Sequence, residues 1–487
     1  MDRLTGLFGF FALLGIAYVL SSNRKAIRWK TVVWGTTLQF AFAFIVLRGT
    51  WLSQQLTWVP FSPLVFLIVI VLQLLLLFFC GSRFLWFSPL MRSRLKVALG
   101  FEILVAGLKF QWISGLFRIM REVVQHLIAY STEGSTFVFG SLGADRGKEN
   151  LGFIFAFQVL PTIIFVASIF SILYYLGVMP VVIRKISNIV GRIMGSSGPE
   201  SVSVAASIFM GQAEAPLTVR PFLSKMTYSE LMTVMTSGMA HVAGGMMAAY
   251  VLVANVDVVH LLTAVVMTAP GAIMVAKILI PETDHPKTSS TLPLEIPRTD
   301  VNLLDAAARG ANEGVHLAIN VAGMLIAFIA LVALSNGILG FLHHQLSLQA
   351  IRFPDSSNIW QFLAHYFPET LQEILGTLFR PIAWMMGVSW KDSFEVGNLL
   401  GTRMVLNEFV SFVKLGEIAS TLEPRSLIIS TFALCGFANF GSIAIQIGGI
   451  GSLAPTRRHD LARLGIRAMI GGTIANFLSA TIAGMLL

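Results

Sequence analysis

Gly211-Gln212-Ala213-Glu214-Ala215-Pro216 interrupts an apolar stretch, and its reading decides the architecture of the chain. The stretch opens at Gly195-Ser196-Ser197-Gly198-Pro199-Glu200 and is too short for two bilayer crossings of about 20 residues each. Such an interruption predicts a re-entrant hairpin, because irregular backbone at membrane depth is tolerated only where protein or a wet cavity surrounds it. Glu214 sits at the tip. A carboxylate at mid-bilayer costs about 2.5–3.5 kcal/mol on insertion scales, so this one needs a partner or a water-filled site.

The theme returns further along. Beyond Pro381 an apolar stretch breaks at Asn407-Glu408. Each acid is followed, about thirty residues on, by a break in an apolar span: Ala243-Gly244-Gly245 after Glu214, and Gly436-Phe437-Ala438-Asn439-Phe440-Gly441-Ser442 after Glu408. A hairpin bearing an acid and then a broken helix, occurring twice, is the pattern of a secondary transporter whose substrate binds near the midplane. The plainer alternative makes both acids structural, paired with Arg220 and Arg403, and leaves Asn439 and Ser442 to bond between helices.

Composition agrees with a membrane protein. Of 487 residues, 55% are hydrophobic and 12% charged, against about 25% charged in soluble domains. Mean hydropathy is +0.77. The net charge of +9 reads as positive-inside loop charge and attraction to anionic membrane lipid, and nucleic acid is not an expected partner. Cys80 and Cys435 both lie in apolar segments, which excludes a disulfide framework or a cysteine metal site. No phosphate-binding GxxxxGK[ST] is present, since Leu142 stands where the first glycine before Gly147-Lys148 belongs, and HExxH and CxxC are absent too. A nucleotide-driven pump is therefore excluded, and no cofactor is expected.

The chain divides as follows. Residues 1–60 carry two transmembrane helices joined by Arg24, Lys25, Arg28 and Lys30, a loop that the positive-inside rule assigns to the cytoplasm. Residues 61–117 form an added helical hairpin with a basic tip at Arg83, Arg92, Arg94 and Lys96. Residues 118–180 hold an interfacial helix and a span at about 151–178; the interfacial helix begins near Trp112 and runs to Tyr130, with Trp112, Leu116, Ile119, Val123 and Leu127 recurring at helical spacing. Residues 181–280 are the first hairpin and broken helix. Residues 281–380 comprise a proline-bearing polar linker, a span at about 311–342 and an extramembrane insertion over 345–378, most distinct near 351–367. Residues 381–487 repeat the hairpin and broken helix and end in a last span.

At this point the residues resemble a known family. Gly211 to Leu217 is similar to the G-Q-T-E-A-P-L hairpin tip of concentrative nucleoside transporters. Gly401-Thr402-Arg403 through Asn407-Glu408-Phe409-Val410-Ser411-Phe412 resembles their G-x-K-x-x-x-N-E-F-V-A signature, and Cys435 to Ser442 their broken seventh helix. Phe137-Val138-Phe139-Gly140 also fits, and the resemblance runs from about Thr132 to the C-terminus, outside the insertion. It implies an all-α polytopic membrane protein, an inverted-repeat transporter with two re-entrant hairpins and two unwound helices, divided into scaffold and transport domain and assembled as a homotrimer in the bacterial inner membrane. Carried over by position, Gln212, Ala213 and Glu214 face the nucleobase, Met246 and Phe437 pack beside it, and Glu408, Asn439 and Ser442 hold the ribose hydroxyls. The family's coupling-ion site maps to the side chains of Ser207 and His241 and the carbonyls of Met210 and Val242.

Three departures stand out. Ala213 replaces the family's threonine, Ser207 its asparagine and His241 its small hydroxyl residue, so the coupling ion, Na+ or H+, stays open. The function implied is nucleoside import by ion-coupled symport, with alternating access of elevator type. The alternatives are a membrane-embedded enzyme using Glu214 and Glu408, for which no nucleophile or metal set is present, and an uncoupled nucleoside facilitator. A passive channel would need a continuous polar face on several spans, which this chain lacks.

Overall fold

The computed structural model describes residues 2–49, 51, 112–144, 154–284, 286, 300–352 and 359–487. Most of the added hairpin expected over 61–117, with Cys80, lies outside these residues, as do most of the polar linker and the middle of the insertion near 351–367. Two compact units are formed, one of residues 41–123 with Leu486 and one of the remainder; the second carries the broken helices and the candidate site described below.

Among the described residues all regular structure is helical. Within those residues six helices are long and apolar enough to cross a membrane: Trp29–Leu47, Phe155–Tyr175, Tyr228–Ala254, Val258–Leu279, Leu303–Arg352 and Pro455–Leu486. Helix is the economical answer in lipid, because it satisfies its own N–H and C=O groups. The exceptions are therefore informative. The Tyr228–Ala254 segment is two helices, Tyr228–Ala240 and Gly244–Ala254, separated at 241–243. A second broken pair is Pro424–Leu434 and Phe440–Leu453, separated at 435–439. Each break follows a set of helices too short to span: Gly198–Ser207 and Arg220–Leu223 before the first, Ser393–Val405 and Glu408–Ile418 before the second.

Local chemistry starts these pieces where the polar residues stand. Ser197 and Glu200 form a capping box at Gly198–Ser207, as Thr227 and Glu230 do at Tyr228–Ala240. Asn407 Oδ1 accepts from Val410 N at 2.9 Å and opens Glu408–Ile418; Asn439 Oδ1 accepts from Ser442 N at 2.9 Å and opens Phe440–Leu453. Pro270 and Pro381, by contrast, are carried inside helices.

Several boundaries differ from the sequence reading. The first break starts at His241, ahead of the expected Ala243-Gly244-Gly245. The interfacial helix runs from Trp112 to Phe139, past Tyr130 and across the 117/118 boundary. Val178–Met194 is one helix across the 180/181 boundary, and Leu371–Met385 crosses 380/381. The helix expected to end near Leu342 continues to Arg352, so residues 345–352 belong to it and not to an insertion. No glycine or proline lies between Gly340 and Pro354 to stop it. This 50-residue helix packs along Leu160–Tyr175, where Ser168 Oγ donates to Ala307 O at 2.9 Å and Arg309 donates to Ser171 Oγ at 2.9 Å.

Breaking a helix strands carbonyls, and one pair of side chains collects them. Arg403 is 1% exposed and donates to Gly436 O at 3.1 Å, Ala433 O at 2.6 Å and Asn476 Oδ1 at 2.6 Å. Asn476 in turn donates from Nδ2 to Ala240 O and Cys435 O at 2.8 and 2.9 Å. Carbonyls from the ends of both broken helices thus share one clamp. Close approach is required: a Cβ on Gly436 would fall 2.4 Å from Asn476 Oδ1. Arg403→Met should destabilise the protein by about 3 kcal/mol or more, since each buried polar group left unpaired costs about 1–3 kcal/mol. Thermal unfolding in detergent measures this, with Arg403→Lys recovering part of the loss because it keeps donors without the planar fork.

Candidate functional site

The first hairpin tip, the two breaks and the start of Glu408–Ile418 meet in one buried region. Gly244 N donates to Phe209 O at 3.0 Å, tying the first break to the hairpin. Phe437 N donates to His241 O at 3.3 Å, tying the second break to the first.

Four of the residues singled out in the sequence form a continuous polar chain there. Gln212 Nε2 donates to Ser442 Oγ at 2.9 Å. Ser442 N is capped by Asn439 Oδ1, and Asn439 Nδ2 donates to Glu408 Oε2 at 3.3 Å. Because Asn439 uses its oxygen on the helix and its nitrogen on the acid, its amide orientation is fixed by both partners. Glu408 accepts a second bond, from Tyr250 at 3.1 Å onto Oε1. The backbone N–H groups of Glu408 and Phe409, at the start of its helix, also face this carboxylate, which as an ionised group only accepts.

The remaining residues take distinct places. Ala213 lies half-buried opposite Gly449, where an added Cβ would fall 3.3 Å from its own. Glu214 is exposed and accepts from Gly211 N at 3.2 Å. Met246 is buried one helical turn before Tyr250, on the same face of Gly244–Ala254. Phe437 is half-buried in the second break. Neither acid pairs with the arginine suggested for it: Arg403 is spent on the carbonyl clamp, and Arg220 on the surface makes no ion pair with Glu214 within 4.0 Å.

The candidate ion residues are engaged with one another. His241 Nδ1 lies 2.7 Å from Ser237 O and 3.0 Å from Ser207 Oγ, and Ser207 Oγ donates to Val204 O at 2.9 Å. A carbonyl only accepts, so Nδ1 carries the proton and Nε2 of the neutral ring is an acceptor. Nε2 is buried without a hydrogen-bond partner, and the Val265 carbonyl also faces the ring. Met210 and Val242 flank this pair on the hairpin and the break, Val242 fully buried and Met210 partly so.

Three residues of this region escaped the sequence reading. Tyr250 is fully buried, stacked on Phe412 at 4.4 Å and near Phe409 at 5.8 Å, which aims its hydroxyl at Glu408. Gln446 and Asn476 are also fully buried. The available signal was a lone polar residue in an apolar helix, which sequence alone does not separate from ordinary helix-to-helix bonding.

Comparison with known proteins gives consistent relatives. Residues 8–61 and 260–484 match the N- and C-terminal models of the Na+-dependent nucleoside transporter, and residues 156–256 match a nucleoside recognition (Gate) model. An uncharacterized transporter of Bacillus subtilis is 37% identical over the full length of both chains. Solute carrier family 28 member 3 of Mus musculus is 37% identical over 94% of this chain and 62% of its own. Sodium/nucleoside cotransporter 1 of Rattus norvegicus is 36% identical over 100% of this chain and 64% of its own. The solved structure of CNTnw in an inward-facing substrate-bound state superposes with a TM-score of 0.77 at 35% identity, covering 100% of this chain and 98% of that one.

The opposition of Ala213 and Gly449 is directly checkable. Ala213→Cys combined with Gly449→Cys, with both native cysteines replaced by alanine, should form a disulfide on mild oxidation, since a Cβ separation of about 3.5–4.5 Å is what the bond needs. Intact-mass measurement after thiol alkylation reads it; two fully alkylated thiols would mean that the tip does not face the second broken helix.

Proposed function

The chain belongs to the Na+-dependent nucleoside transporter family, and on that footing we propose that it imports nucleosides across the inner membrane by ion-coupled symport, with the Gln212-to-Glu408 chain as substrate site. The observation that carries this reading is the unbroken run of polar side chains from Gln212 through Ser442 and Asn439 to Glu408. A vicinal diol donates hydrogen bonds, and the ionised Glu408 carboxylate only accepts them. Gln212 and Ser442 hold each other, so an entering substrate exchanges that bond for its own. Ala213 and Glu214 complete the base side, with Met246 and Phe437 as apolar walls.

The same reading assigns the two hairpins and two broken helices to a transport domain that moves between membrane faces, and Leu160–Tyr175 with Leu303–Arg352 to a scaffold. On the long helix Ile319, Ile326, Ile329, Leu334, Ile338 and Phe341 are exposed, an apolar surface for lipid and for neighbouring copies in a homotrimer.

The family model is that of a Na+-dependent transporter, and at the mapped ion positions Ser207 Oγ and the carbonyls of Met210 and Val242 offer oxygen. Sodium is a hard cation that prefers oxygen ligands, whereas an imidazole occupies the fourth position and bonds Ser207 directly. We infer instead that the coupling ion is a proton taken up on His241 Nε2, which turns an unpartnered acceptor into a donor in a ring already faced by the Ser237 and Val265 carbonyls.

Two measurements test these assignments. Glu408→Gln should lower nucleoside accumulation about a hundredfold while the protein remains folded and trimeric by size-exclusion chromatography, because charge-assisted bonds worth about 1.5–3 kcal/mol each are lost. Wild-type rates in vesicles carrying Glu408→Gln would remove Glu408 from the site. Uptake should be driven by an inward proton gradient without sodium, and His241→Ser should abolish that drive. Accumulation driven by a sodium gradient at symmetric pH, and insensitive to pH, would overturn the proton assignment.

A further inference from the structure

Gln446 belongs to no part of the site as drawn so far, yet it is fully buried in the second half of the second broken helix, one turn beyond Ser442 and on the same face. Its Nε2 donates to Met235 O at 3.0 Å. Since a backbone carbonyl only accepts, the amide orientation is fixed and Oε1 points away from Met235. That oxygen is buried with no hydrogen-bond partner. Gln212 Oε1 is in the same condition, its nitrogen being spent on Ser442.

The two glutamines are neighbours. The point where a Cβ on Gly238 would fall lies 2.6 Å from Gln446 Nε2 and 3.3 Å from Gln212 Cβ, so the missing side chain of Gly238 is what admits both. A buried acceptor without a donor is costly, and two on neighbouring side chains call for a group that donates twice. A carbonyl brought to the same spot would set oxygen against oxygen.

We propose that Gln446 is a second reader of the nucleobase and that, with Gln212, it selects bases carrying an exocyclic amino group. The proposal rests on the nucleoside reading above. One amino nitrogen, at C4 of cytosine or C6 of adenine, offers two N–H donors, one for each Oε1. Uracil and hypoxanthine present a carbonyl there instead, and a site built around hydrogen bonding rejects the analogue that leaves its buried groups unpaired.

The test is competition binding to purified protein in detergent, with adenosine against inosine and cytidine against uridine as matched pairs, and 3′-deoxyadenosine as a ribose control. Wild type should favour the amino member of each pair at least tenfold. Gln446→Met, close in shape but without the oxygen, should bring both ratios below about threefold while leaving discrimination against the 3′-deoxy compound intact. Gly238→Ala, which displaces the Gln446 amide without deleting it, should give intermediate ratios, and decides the matter if Gln446→Met does not fold. Ratios that stay at the wild-type value in the folded variants, or a wild type without amino preference, would overturn the role of Gln446 while the retained 3′-hydroxyl requirement left the nucleoside reading standing. Failure of every nucleoside to bind wild type would instead remove the nucleoside reading and this proposal with it.

Discussion

Everything in this protein's interior depends on providing donors for carbonyls that two interrupted helices leave behind in a medium without water. Arg403 and Asn476 do so jointly, and the economy lies in the sharing. A guanidinium has five N–H donors in a rigid fork, enough to reach Ala433 O, Gly436 O and Asn476 Oδ1 at once. The amide then passes the remaining demand to Ala240 O and Cys435 O, on both broken helices. A buried cation whose hydrogen bonds go to carbonyl oxygens therefore reaches Glu408 only through its charge, at a distance, and the acid's direct side-chain donors are the Tyr250 hydroxyl and the Asn439 amide.

Double use of polar side chains recurs through the region. Asn439 caps a helix and orients an acid. Ser442 offers its backbone N–H to that cap and its hydroxyl to Gln212. His241 ends one helix, bonds Ser207 with its ring and accepts the Phe437 amide on its carbonyl. Such coupling means that no member moves alone, so changes at Ser207 and His241 are mechanically connected to Asn439 and Glu408 through backbone as well as side chains. Energies here should not add: residues in one network show interaction terms of about 0.5–3 kcal/mol.

The parts legible in the sequence were those where polar or helix-breaking residues interrupt apolar runs, since such interruptions are costly in lipid and need a reason. Glu214, Glu408, Asn439 and the glycine-rich breaks announced themselves this way. Tyr250, Gln446 and Asn476 did not, because a single polar residue in an otherwise apolar helix carries no mark of what it faces. The plainer alternative paired Arg403 with a carboxylate, whereas its hydrogen bonds go to two backbone carbonyls, which leave no trace in side-chain identity, and to Asn476 Oδ1. The run-on of Leu303–Arg352 past Leu342 is missed because residues 345–352 are read together with Trp360, Tyr366 and Phe367, the charges and the prolines at 354 and 368 that follow, while helix continuation requires only that nothing stop it.

That helix sets a last consequence. Its uncharged stretch from Leu317 to Leu342 spans roughly 39 Å at 1.5 Å per residue, against about 30 Å for an average hydrocarbon core. A helix too long for its bilayer tilts or thickens the lipid around it, and the mismatch here corresponds to a slope of about 40° if tilt absorbs all of it. Bilayer thickness thereby becomes a mechanical setting of the protein: thicker membranes stand this helix upright, and thinner ones lay it further over, together with the Leu160–Tyr175 helix packed along it.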